Sequence, residues 1–178
     1  MKSFAIAICL SLNIVAQAQM PKPQHPIVPD FGGIYAIPEA QKYPDTTLTY
    51  QIVIDVTQGA EKPDQLNPSL NNIARMLNLH GISGIKKAQL DVVAVIHSSA
   101  TPVVLADQAY QEVFDCNNPN GELIKALSEA GVSLFVCGQS LLARNYYEYP
   151  LHPDITISIS ALTVLTEYQR KGYALLKF

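Results

Sequence analysis

The unbroken apolar run Val92 to Ile96 (VVAVI) constrains this 178-residue chain more than any other segment. The run is short and β-branched, and it reads as a strand buried on both faces. Strands of that kind belong to parallel sheets with helices packed on each side. The surrounding pattern agrees. Leu48 to Val56 (LTYQIVIDV) reads as a first strand, and Ala88 to Ile96 as a second that ends in the apolar run. Val132 to Val136, Ile155 to Ser158 and Tyr173 to Phe178 complete five.

Between the strands the apolar period lengthens to that of a helix. A helix is expected from Pro63 and Asp64 to about Leu79, with Leu66, Leu70, Ile73, Ala74 and Leu77 on one face and Gly81 as its stop. A short helix follows around Leu105 to Phe114. Another spans Gly121 to Ala130, with Asn120 as N-cap and Gly131 behind it. LLARNYY continues as a helix after the third strand, and Ala161 to Lys171 forms the last, closed by Gly172. Strands alternating with helices of this length predict a three-layer α/β/α sandwich around a mainly parallel five-stranded sheet.

The two ends of the chain differ from this core. Lys2, the apolar stretch Phe4 to Val15 and the small residues of Ala16-Gln17-Ala18 read as a signal peptide, residues 1–18, cleaved before Gln19. The expected location is therefore periplasmic or secreted. The stretch is too short for a membrane span, and no later segment is long enough either. Residues 19–47 are expected to form an extended arm, punctuated by Pro21, Pro23, Pro26, Pro29, Pro38 and Pro44. Ile27, Val28, Phe31, Ile34, Tyr35 and Ile37 give that arm something to bury, against its own domain or a neighbouring subunit. Residues 48–178 are the α/β domain, and a net charge of −3 with no basic stripe argues against nucleic acid and membrane partners.

Cys137 is the principal candidate for chemistry. It lies where the third strand passes into a helix, at the carboxyl edge at which parallel sheets bind ligands. There a thiol meets unpaired backbone N–H groups and the positive end of a helix dipole, and both favour the reactive thiolate. A small buried side chain ending a strand is the plainer reading. His97 follows VVAVI at the equivalent point of the second strand, where an imidazole can lower a thiol pKa, with Ser98, Ser99 and Thr101 beside it. Cys116, in FDCNNPN, is a candidate resolving thiol. Tyr146, Tyr147 and Tyr149 can line a pocket or an interface. There is no phosphate loop, no metal-ligand spacing and no nucleophile elbow, so neither metal nor cofactor is expected.

Several stretches resemble the DsrE/DsrF-like family of sulfur-relay proteins, which includes the TusBCD and YchN types. They are TYQIVIDVTQGAEKPDQLNPSLNNIARMLNLHG, LDVVAVIHSSATPVVL, the NPN at Asn118 to Asn120, GVSLFVCGQSLLAR and ISALTVLTEYQRKGYALLKF. The likeness is to members that carry a signal peptide. It implies a DsrE-like fold, a homotrimer or homohexamer, and a cysteine that accepts persulfide sulfur, matched here by Cys137. CGQS departs from the cysteine loop of the relay members. The expected function is an exported carrier that binds or transfers sulfane sulfur on Cys137, loaded by small sulfur species or a sulfur-donor protein. His97 and Ser99, with the backbone N–H groups of Gly138 and Gln139, would then form the binding site. Two rivals remain: a non-enzymatic homo-oligomer that binds a small ligand and merely packs Cys137, and a thiol redox sensor that uses Cys116 and Cys137.

Overall fold

The computed structural model describes residues 21–178, so the signal-peptide reading lies outside the described residues. Five strands, β1 (Tyr50–Val56), β2 (Leu90–Ile96), β3 (Ser133–Cys137), β4 (Thr156–Ser158) and β5 (Ala174–Lys177), form one sheet in the order β4-β3-β2-β1-β5. All four neighbouring pairs are parallel. The helices are α1 (Pro68–Ile82), α2 (Asp107–Phe114), α3 (Gly121–Glu129), α4 (Gly138–Ala143) and α5 (Ala161–Arg170).

Strand alternation sorts the core into two faces. Ile52, Ile54 and Val56 of β1, Val92, Ala94 and Ile96 of β2, and Leu134 and Val136 of β3 pack with α1 and α3. Val53, Val93, Val95 and Cys137 point the other way, onto Ala161 and Val164 of α5. The crossovers explain this division. The chain steps from β1 to β4 in one direction and leaves α1 and α3 on one face. The last crossover returns from β4 past β1 to β5, and right-handed connections put α5 on the opposite face.

Local chemistry moves several boundaries from their expected places. Helix α1 begins at Pro68 rather than Pro63, because the Asn67 side chain accepts from the Leu70 N–H as N-cap with proline next in line. It runs through Gly81 to Ile82, and the turn falls instead at Gly84, whose φ is +92°. Asn120 occupies the cap position of α3 without making a side-chain cap bond, because its Oδ1 accepts from the Asn67 N–H instead. The helix expected over LLARNYY is the shorter α4, which begins at Gly138 and ends before Asn145, a residue at φ +60°. Residues Ser98–Val104, to which the sequence assigns no element, wind into a 3-10 segment.

The proline-rich arm lies across α1 of its own chain. Asn78, fully buried, accepts from the N–H groups of Ile27 and Val28 and donates to the carbonyls of Val28, Phe31 and Gly32. Val28 and Ile34 are sealed beneath it, whereas Tyr35 and Ile37 are exposed.

Candidate functional site

The carboxyl edge of β3 builds the site. Cys137 is the last residue of β3 and the residue from which α4 starts, so its side chain takes the α5 face while its backbone enters a helix. The residue is 5 % exposed. Burial pushes the thiol pKa up. Against that, the backbone N–H groups of Ala161, Ser140 and Gln139 and the Ser140 hydroxyl favour the anion, and together they hold the thiol below its ordinary value. Gln139 and Ser140 belong to the first turn of α4, and Ala161 opens α5 behind its Ser160 cap. Two helix starts therefore converge on one sulfur, and N–H groups without intrahelical partners point to it from both.

The glycine and glutamine beside Cys137 have separate tasks. A Cβ on Gly138 would come within 2.9 Å of the Ser158 carbonyl oxygen, so the bare glycine lets α4 start directly against β4. Gln139 offers its backbone N–H to the sulfur, while its side-chain amide donates to the Ile159 carbonyl at 3.4 Å. Ser140, passed over as a site residue in the sequence, also ties two strand ends together: its Oγ accepts from the Ser98 N–H at 3.2 Å.

His97 turns towards β1. Its Nε2 lies 2.6 Å from Oδ1 of Asp55, and Oδ2 of Asp55 lies 3.6 Å from Nζ of Lys177 on β5. Among the described residues no hydrogen bond or ion pair joins His97 to Cys137. Ser99 is committed to the backbone: its hydroxyl donates to the Thr57 carbonyl and accepts from the Gly59 N–H. It thereby pins the loop after β1 to the 3-10 segment, beside a cleft of about 210 Å³ lined by Lys62, Pro63, Tyr110 and Phe114 among others. Cys116 belongs to a different cluster, around Leu105, Ala109 and Tyr110, and both thiols are free.

Besides Ser140, two contributors were not singled out in the sequence. Asp55 is a single carboxylate in the apolar strand YQIVIDV, and that anomaly was the available signal. The Ala161 N–H gave no signal, because a backbone donor carries no residue identity. No cluster of three or more His, Cys, Asp or Glu side chains suited to a metal occurs among the described residues, and none of their helices is long and apolar enough to cross a membrane.

Known proteins place this architecture. The chain is similar to a protein of unknown function, MTH1491 of Methanobacterium thermoautotrophicum, with 17 % identity and a TM-score of 0.55. It is similar also to the ychN protein of E. coli, with 20 % identity and a TM-score of 0.54. Each comparison covers 72 % of this chain and 99 % of the other, and at these identities each speaks for the fold alone. No curated protein matches the chain. The model of the DsrE/DsrF-like family matches residues 51–178, from the second residue of β1 to the carboxyl terminus, and the chain belongs to that family.

Proposed function

We propose that this protein carries sulfane sulfur on Cys137. The supporting observation is the sulfur's setting: a strand-end thiol whose anion is favoured by N–H groups from two helix starts. A thiolate there attacks the outer sulfur of a persulfide, R–S–SH. A new S–S bond forms to Cys137, the bond between R–S and the transferred sulfur breaks, and R–S⁻ leaves. The product is Cys137–S–SH. Nothing is oxidised or reduced overall, and the same amides that favour the thiolate favour the deprotonated persulfide.

The donor is a small polysulfide or a persulfidated protein. The carrier works as a homotrimer or homohexamer, and exposed Ile157, Ile159 and Leu162, on and just after the edge strand β4, provide apolar surface for a second copy. It acts outside the cytoplasm after cleavage behind Ala18, and amino-terminal sequencing of the exported protein should begin at Gln19.

The test is intact-mass measurement after polysulfide exposure. Wild type should gain the mass of sulfur, whereas Cys137→Ser should gain none at this site. Sulfur uptake by Cys137→Ser equal to that of wild type would reject the proposal. The burial of Cys137 favours a second reading, in which the thiol only packs and the edge binds another ligand. On that reading a maleimide should label Cys137 only after unfolding.

A further inference from the structure

Asp55 is a charged side chain in the buried half of β1, Ile52 to Val56. Its neighbours Ile54 and Val56 are fully buried, and its own side chain is 14 % exposed. A carboxylate in such a place costs stability unless it is paired. Its close partner is His97 at 2.6 Å, with the more distant and exposed Lys177 on its other oxygen.

The register puts this pair next to Cys137. Ile96 of β2 pairs with Val136 of β3, and the next residues along are His97 and Cys137. One step further, the Ser98 N–H donates to Ser140 Oγ. The two strand ends are thus tied immediately before and after this level. His97 remains extended, and its N–H continues the ladder to the Val56 carbonyl. Alternation places Asp55, His97 and Cys137 on the same face, the one covered by α5.

We propose that Asp55 is a positioning residue that makes His97 the base for Cys137. The proposal rests on Cys137 being a reactive thiol. Asp55 accepts from Nε2–H, which fixes the ring tautomer and leaves Nδ1 as the free base. Nδ1 takes the Cys137 proton, and Asp55 stabilises the resulting imidazolium. The elements around His97 present few competing charges. β1 and β5 bring Asp55 and Lys177, and β3 brings Cys137. From α5 come Ala161, Val164, Leu165 and the phenol of Tyr168, while its Glu167 and Lys171 are exposed and paired with each other. The 3-10 segment and α4 bring Ser98, Ser99, Gln139 and Ser140, none of which titrates in this range.

The test is the pH dependence of Cys137 alkylation by iodoacetamide, read by peptide mass spectrometry on the full chain. Near pH 6, Asp55→Asn should slow labelling about tenfold, the change that one unit in the thiol's pKa makes to its thiolate fraction. Near pH 9, where the thiol ionises without help, the rates should agree within about twofold. His97→Gln should match Asp55→Asn, and the double variant should lose no more than either single one. Superimposed profiles, or an equal loss at every pH, would overturn the proposal. A measurement on the unaltered chain guards against a variant that fails to fold: nitrogen NMR of His97 should show Nε2 protonated and Nδ1 bare, and the opposite tautomer would overturn it. If Cys137 takes up no sulfur yet these shifts appear, sulfur carriage fails while the positioning role stands.

Discussion

The two faces of the sheet are built to different standards. On one, α1 and α3 seal an apolar layer in which Ile54, Leu70, Ile73, Leu77, Leu123, Ile124 and Leu127 are all at most 1 % exposed. On the other, α5 alone covers Val53, Val93, Val95 and Cys137, with Phe135, Leu165, Tyr168 and Tyr173 only half-buried around it. The carboxylates of the strands lie on the second face: Asp55 beside His97 and Cys137 towards the carboxyl edge, and Asp91 beside Tyr173 further back. A sealed layer excludes charge by its desolvation cost. A thinly covered one admits polar groups while still excluding enough water to strengthen their interactions.

The sharpest test of that contrast is stability. Leu77→Ala, on the sealed face, should cost about 3–5 kcal/mol in denaturant unfolding, because a tight layer collapses poorly around a cavity. Val164→Ala, under α5, should cost roughly 1–2 kcal/mol, since fewer methyl groups leave and the site borders water. Equal costs would abolish the distinction between the faces. Gly138→Ala should come next at about 1–3 kcal/mol, because the added carbon meets a backbone carbonyl that has little room to give. Its thermal unfolding should show the loss, and Cys137 should become easier to alkylate as β4 is pushed from α4.

A smaller effect isolates the electrostatics of the open face. Ser140→Ala removes one hydroxyl donor from the sulfur and leaves the three N–H groups in place. The thiol pKa should rise towards the ordinary value, so the alkylation inflection moves to higher pH and labelling near neutrality slows by about two- to fivefold. An inflection that does not move would remove Ser140 from the site.

How far the sequence shows this division depends on which physical signal each part leaves. The VVAVI run and its four companions mark the strands to within two residues, and for β2, buried on both faces, the composition leaves little room for another reading. Cys137 and His97 stand out because a strand end in a parallel sheet is a privileged place. The start of α1 is harder to read: Pro63 and Asp64 look like a helix opening, and only the folded loop shows that Asn67 reaches the Leu70 N–H. The Ser98–Val104 turn is hidden by its composition, SSATPVV, which has no helical period. The partners that matter most to Cys137 are the least visible. Ala161 acts through its backbone and comes from the start of a distant helix, and Asp55 looks like an interruption in an apolar strand until His97 is seen beside it.

The smallest effect separates burial from charge as causes. Three of the nine tyrosines hold their protons late: Tyr110 and Tyr173, both with pKa values raised to about 12, and exposed Tyr149, raised chiefly by the Glu112 charge. For Tyr110, in the cluster built around α2, the main cause is burial. For Tyr173, on the α5 face, it is the hydrogen bond to the Asp91 carboxylate. Each phenol stays protonated in the folded chain after its unfolded counterpart, at about 10, has ionised. The stability each contributes is therefore complete below pH 10 and falls as the pH rises from 10 to about 12. Ultraviolet titration should show the Tyr110 and Tyr173 phenols ionising near 12 in the wild type. Asp91→Asn should return one of them towards 10 and leave the other, and concentrated salt should do the same more weakly, since screening acts on the exposed pair and not on a buried ring. If both phenols moved together, the two regions would share one environment. If only Tyr173 moves, charge sets the titration of Tyr173 on the thinly covered face and packing sets that of Tyr110 under α2.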